Sequence, residues 1–162
     1  MWRQTWTGAA AGAAGTTALN AVTYLDMALR ARAASSTPED TVEQMAGKLP
    51  VDVPGEGDKR DNRVSALGPL MGLATGVGVG VLYGAVTSAT GRPRPAAASL
   101  ILAAMALAGA NGPMAALGVS DPREWDLNAW LTDIVPHVAY GVVTALTYEA
   151  AQHHPGLGWS HG

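Results

Sequence analysis

Hydrophobic positions along this chain gather in long blocks, and one polar stretch of about thirty residues separates the first block from the rest. The second block, residues 64–89, carries no charged side chain and is long enough to cross a hydrocarbon core of about 30 Å. Blocks of this length are typical of transmembrane helices. The sequence therefore predicts an all-α, polytopic integral membrane protein, a single membrane domain with a four-helix bundle. The predicted spans are residues 6–29, 64–89, 96–117 and 127–151.

A row of glycines spaced four residues apart marks the second span. Its members are Gly68, Gly72, Gly76, Gly80 and Gly84. Spacing of four places them along one side of a helix, where small residues let two membrane helices approach closely. In water, each interior glycine would cost about 1 kcal/mol relative to alanine. We expect this glycine row to pack against another span of the same chain. The alternatives are a self-association seam, such as a glycine zipper, and a sliding surface in a transporter.

The first span carries a second pair of small residues, Gly8 and Gly12, on the face that also bears Asp26. Trp2 and Trp6 suit an anchor at the membrane interface. The span is only modestly hydrophobic, so we expect it to insert with help from its neighbours. Asn20 is expected to form a hydrogen bond between helices.

The polar stretch, residues 33–63, contains one short helical pattern. Thr37 reads as an N-cap, Pro38 as the first helical residue, and Glu39 and Asp40 as acids in the first turn. An amphipathic helix ending near Lys48 is therefore predicted within the loop. It could lie on the membrane surface or cap the bundle.

Composition narrows the range of functions. Charged residues make up only 14% of the chain and the net charge is −3, so no basic surface for nucleic acid is expected. The chain has no cysteine, which excludes disulfides and thiolate chemistry. No metal-ligand spacing and no nucleophile with a partnered base occurs. We therefore expect no catalytic residue, no metal, no cofactor and a non-enzymatic role.

Polar residues recur on one face of the fourth span and form the candidate site. Asp133, His137 and Tyr140 follow steps of four and three residues, so they share a helix face. A carboxylate one turn before a histidine can orient the imidazole and raise its basicity. The functional hypothesis is a proton relay or ligand site on His137. The alternative is that Asp133 lies at the membrane interface and His137 merely bonds to a neighbouring helix.

Two further polar positions could join that site. Asp26 lies one turn before Arg30, which favours an interfacial ion pair, but it could instead face the fourth span. Asn111 precedes Gly112 and Pro113 in the third span, a triplet typical of a kink. In some transporters such a triplet is an unwound segment that exposes backbone carbonyls to a solute.

The final span, residues 136–149, resembles the closing segment of the YagU-like family of bacterial inner-membrane proteins. That family combines a short multi-span core, an internal glycine-containing turn and a last helix that begins near a histidine. Gly118, Asp121 and Pro122 correspond to the turn, and His137 to the histidine. The resemblance implies a multi-pass location in the bacterial inner membrane. It transfers no catalytic residue.

The leading functional hypothesis is a small membrane protein that packs with itself or serves as an accessory part of a larger membrane assembly. Its expected partners are the lipid bilayer and a second copy or another membrane protein. The alternative is transport of protons or a small solute past the polar face of the fourth span. A soluble helical domain with an unusually apolar core is a third alternative.

Overall fold

The chain is all-α in the computed structural model, which describes residues 2–50 and 52–153. The described residues form five α-helices and one short 3-10 turn, Pro122–Glu124. The helices are α1 Trp2–Arg30, α2 Thr37–Lys48, α3 Asp58–Thr90, α4 Pro95–Leu117 and α5 Leu127–His153.

Three of these helices, α3, α4 and α5, are long and apolar enough to span a membrane. The prediction of four such spans was therefore wrong. The first helix is long enough, but alanine, glycine and threonine fill it in place of larger apolar residues. Its hydrophobicity is accordingly too low for a span by composition.

The least hydrophobic of the long helices packs against two of the others. Helix α1 lies between α3 and α5, and α4 packs chiefly against α5 and only lightly against α3. Gly8 meets Gly80 while Gly12 meets Gly76, so α1 runs antiparallel to α3. Gly15 meets Thr144 while Arg30 meets Asn128, so α1 is also antiparallel to α5. At one end of the bundle, the Arg30 guanidinium of α1 donates to Asn128 near the start of α5, at 2.7 Å. Helix α2 packs against α3 at that same end.

Most glycines of the row contact other helices of the same chain. A Cβ atom on Gly80 would meet the carbonyl oxygen of Gly8, and one on Gly12 would lie 2.5 Å from the carbonyl oxygen of Gly76. The backbones of α1 and α3 therefore touch directly, as small residues permit. Gly68 faces α2 at Pro38.

Two glycines of the row are not central to the contact between α1 and α3: Gly84 lies at its edge and Gly72 lies outside it. A Cβ on Gly84 would meet the carbonyl oxygen of Gln4, where the contact between α1 and α3 ends. A Cβ on Gly72 would meet open space. The row thus serves several contacts in turn and does not form one continuous seam.

The outer surface of α5 is apolar, while polar side chains point inward. Leu131, Val135, Val138 and Leu146 are all exposed, whereas Thr144 is fully buried. Outward leucines and valines on a long helix are typical of contact with hydrocarbon. An apolar outer surface with polar side chains inside is the distribution expected of a helix in a bilayer.

The two ends of the bundle differ in charge. The end where α3 turns into α4 is called the turn end below. Among the residues described, its arginines are Arg3, Arg92 and Arg94, and Glu149 is the one carboxylate at this end. The opposite end, called the loop end below, carries α2 and most of the acidic residues.

One ion pair fastens the loop to the bundle. Arg60 at the start of α3 binds both carboxylate oxygens of Glu43 on α2, at 2.5 and 2.6 Å. Hydrogen bonding to the Arg60 guanidinium lowers the pKa of the Glu43 carboxyl below its ordinary value.

Candidate functional site

A polar cluster joins α4 to α5 towards the loop end of the bundle. The Asn111 side-chain amide donates to the Asp133 carboxylate, at 2.7 Å between Nδ2 and Oδ2. His137 lies one turn further along α5, with its Nδ1 atom 2.7 Å from the backbone carbonyl oxygen of Asp133. The same nitrogen is 3.4 Å from the Asp133 carboxylate. Three residues predicted to be polar candidates thus lie together.

The hydrogen bond to the Asp133 carbonyl fixes the tautomer of His137. A carbonyl oxygen can only accept, so Nδ1 carries the proton and donates it. In the neutral imidazole, Nε2 is then the basic nitrogen. That nitrogen makes no hydrogen bond to the described part of the chain.

The cluster is shielded and incompletely satisfied. His137 is 8% exposed and Asn111 is 9% exposed, so little of either residue is open to the surroundings. The Asn111 carbonyl oxygen Oδ1 is buried and has no hydrogen-bond partner among the residues described. An unpaired buried acceptor costs about 1–3 kcal/mol, so this oxygen is a position where a donor would bind favourably.

Two prolines lie close to the cluster on its helices. Pro113 lies inside α4 and Pro136 inside α5, and each lacks the amide hydrogen that would bond to the carbonyl four residues earlier. The helix α4 nevertheless continues unbroken through Asn111, Gly112 and Pro113. The triplet is therefore not an unwound segment, and the alternative of carbonyls exposed to a solute does not hold in this structure.

Tyr140 belongs to a different part of the core. Its hydroxyl donates to the backbone carbonyl of Gly76 on α3, at 2.6 Å, and the side chain is almost completely buried. Although it shares a helix face with Asp133 and His137, its hydrogen bond is directed at the glycine row.

Asp26 is also separate from the cluster. Its carboxylate pairs with Arg32 at 2.5 Å and with Arg30 at 3.4 Å, where α1 ends and the loop begins. The interfacial ion pair is therefore the arrangement the structure shows, and the alternative that places Asp26 against α5 is not.

Asn20 differs from its predicted role between helices. It is exposed on the outside of α1, and its side chain makes no hydrogen bond within the portion of the chain that is described. The residues that share this outer face are Arg3, Trp6, Ala10, Ala13, Thr17, Asn20 and Tyr24, which we call the outer face of α1.

The chemistry available to the polar cluster is limited. No group of three or more histidine, aspartate or glutamate side chains that could hold a metal ion occurs within residues 2–50 and 52–153. What Asn111, Asp133 and His137 offer is one basic nitrogen, one carboxylate and one free amide oxygen. Such a set can bind a proton or a small polar group.

Comparison with known proteins adds no family. No protein-family model, no curated protein and no solved structure matches this chain. The resemblance of residues 136–149 to the YagU-like family therefore stays a prediction.

Proposed function

We propose that this chain is a small, non-enzymatic membrane protein that assembles with a second copy of itself through the outer face of α1. The observation that carries the proposal is the position of Asn20 and Thr17, two polar residues exposed on the outside of a helix. Its neighbours α3 and α5 present leucine and valine outward.

A polar amide facing hydrocarbon is unfavourable unless it finds a partner. Asparagine both donates and accepts, so two copies of Asn20 can bond to each other across a twofold axis. The outer face of α1 repeats every three and four residues, which is the spacing of a left-handed helix pair. Ala10 and Ala13 would allow close approach.

The weak hydrophobicity of α1 supports the same proposal. A helix that is shielded by α3 and α5 on one side and by a partner on the other needs few lipid-facing residues. Assembly would therefore complete the membrane burial that the helix cannot achieve by its own composition. We further propose the bacterial inner membrane as the location, on the strength of the resemblance of the last span.

The absence of native cysteine makes the test direct. Thr17→Cys and Ala10→Cys, each alone in the chain, should form disulfide-linked dimers when membranes are treated with a mild oxidant. Val138→Cys, on the outer surface of α5, is the matched control and should remain monomeric. Equal cross-linking at all three positions, or none at positions 10 and 17, would contradict assembly through α1.

A second candidate function is proton or small-solute transport past the polar cluster. It is favoured by the unpartnered amide oxygen of Asn111 and by the unbonded Nε2 of His137. In proteoliposomes with an internal pH dye, the wild type should then dissipate a proton gradient. His137→Gln should abolish the flux, while Leu146→Ala, on the outer surface of α5, should not. A tight wild-type vesicle would exclude this function.

A further inference from the structure

Helices α3 and α4 are joined by a short turn between Thr90 and Pro95, yet they pack only lightly together. They meet again far from the turn, where a Cβ on Gly109 would lie 3.0 Å from the Thr75 side chain, and leave a gap beside the turn. The space between them is a groove with a volume of about 450 Å³, within the usual range for small-molecule sites of about 300–1,000 Å³. Its residues are Tyr83, Val86, Thr87, Ile101, Met105 and Arg92.

The walls of the groove are apolar along the helices. Val86 and Ile101 are 49% and 44% exposed, so both side chains are open to an occupant. The Thr87 hydroxyl already donates to the Tyr83 carbonyl at 2.8 Å and lies 3.1 Å from the Tyr148 hydroxyl. Because the Thr87 hydroxyl is satisfied internally and the exposed wall residues Val86 and Ile101 are aliphatic, this part of the groove suits a hydrocarbon chain.

The mouth of the groove at the turn end is cationic. The Arg92 guanidinium lines it and uses one nitrogen to contact the Glu149 carboxylate at 3.2 Å. A guanidinium has five N–H donors, so most of them remain available. Glu149 is also bonded to His153 at 2.8 Å, which keeps the carboxylate beside Arg92.

Helix α4 begins two residues after Pro93, which lines the mouth, and has no side-chain cap. Its N-cap residue is Arg94, and no side chain accepts from its first amides. The exposed residues Ala96 and Ala97 lie in this first turn. Free amides at a helix N-terminus attract anions, and here they lie beside two arginines.

We propose that the groove between α3 and α4 binds one anionic phospholipid of the surrounding bilayer. An acyl chain would lie between Val86 and Ile101, and the phosphate would meet Arg92 and the N-terminus of α4. The complementarity is twofold: apolar walls face hydrocarbon, and the cationic mouth lies at the turn end, where the described arginines outnumber the carboxylates. This inference is independent of assembly through α1.

The test compares two lipids that differ only in headgroup. Purified protein in a mild detergent is offered phosphatidylglycerol and phosphatidylcholine with identical acyl chains, and bound lipid is counted by native mass spectrometry. The wild type should retain one phosphatidylglycerol in preference to phosphatidylcholine. Arg92→Gln should reduce that preference about fivefold, which corresponds to one surface charge. Arg123→Gln, at the loop end, should leave it unchanged.

Two further variants separate binding from folding. Arg92→Gln removes the arginine partner of Glu149 and leaves it bonded to His153 alone. The double variant with Glu149→Gln removes both charges of the pair and should also lose the preference. Ile101→Trp should fill the groove and remove the tightly bound lipid whatever its headgroup. Equal retention of the two lipids by the wild type would overturn the proposal, as would unchanged retention in Ile101→Trp.

Discussion

The hydroxyl of Tyr140 on α5 donates a hydrogen bond of 2.6 Å to the backbone carbonyl of Gly76 on α3. A side-chain Cβ at position 76 would meet the Thr16 hydroxyl of α1. One glycine therefore brings three helices together: its missing side chain admits α1, and its carbonyl receives α5. This contact lies midway along α1, α3 and α5 and holds α1 between its two neighbours.

We expect Gly80→Ala to destabilise the protein by about 1–3 kcal/mol, the usual cost of overpacking. The added methyl would meet the carbonyl oxygen of Gly8 and lie 2.9 Å from the Cα atom of Gly12, so rigid backbone would have to move. The measurement is the unfolding midpoint in a denaturing-detergent titration.

Gly72→Ala is the matched control for that substitution. Its methyl would enter open space, and alanine is the better helix former by up to about 1 kcal/mol. This variant should be unchanged or slightly more stable. If both alanines destabilise the protein equally, the close contact of α1 with α3 is not what the glycines provide.

Tyr140→Phe should cost about 1 kcal/mol, because it removes one buried hydrogen bond and leaves the ring in place. Thr132→Val, which removes a hydroxyl that bonds only within its own helix, to the Asn128 carbonyl, should cost little. The same detergent titration measures both. A loss of equal size in the two variants would show that the hydroxyl of Tyr140 has no special role in joining α5 to α3.

Asn111 and Asp133 should be energetically coupled across α4 and α5. A double-mutant cycle with Asn111→Ala and Asp133→Ala isolates their interaction, which we expect to lie at about 0.5–2 kcal/mol, as for other hydrogen bonds between membrane helices. Strictly additive effects of the two substitutions would contradict a direct bond between these side chains.

The docking of α2 should weaken in acid. Because the pKa of Glu43 is lowered in the folded protein by Arg60, the pair stabilises the fold fully above the ordinary value of 4.5. That contribution is lost as the pH falls through the lowered pKa. Hydrogen exchange in α2 should therefore rise in strong acid, relative to the rest of the bundle, and not between pH 8 and pH 6.

Glu43→Gln should raise the exchange of α2 already at neutral pH and remove most of its acid response. Glu56→Gln, which changes an exposed carboxylate outside α2, serves as the control and should behave like the wild type. An unchanged acid response in Glu43→Gln would mean that another group controls the docking.

The sequence was most informative where long blocks of the chain are poor in charged residues. Three charge-poor blocks predicted α3, α4 and α5, and the all-α class is confirmed by the described residues. The first helix misled the prediction because its length and glycines fit a span, whereas its alanine-rich composition is too weakly hydrophobic. The position of α1 between α3 and α5 compensates for its weak hydrophobicity. Contacts between helices cannot be read from the local composition of one helix.

The candidate site was predictable in part for a similar reason. Asp133 and His137 lie four residues apart on one helix, so periodicity alone puts them together. Asn111 comes from another helix, and only the path of α4 brings its amide to Asp133. Tyr140 shared the predicted face, but its hydroxyl points to Gly76, a partner 64 residues away, which no pattern in the sequence indicates.

The groove between α3 and α4 carries no sequence signature at all. Arg92 reads as an ordinary turn residue, and Val86 and Ile101 as ordinary lipid-facing residues. Their common feature is a gap between two helices beside a short turn, which follows from the packing of α3 chiefly against α1 and of α4 chiefly against α5.

The central claim is that hydrocarbon surrounds the outward faces of α3, α4 and α5. Spin labels on single cysteines at Leu127, Leu131, Val138 and Leu146 in liposomes test it most directly, by collision with oxygen and with a water-soluble nickel complex. We predict that labels at positions 131, 138 and 146 meet oxygen and exclude nickel, with the reverse at position 127. Equal access of the nickel complex to all four positions would contradict the account.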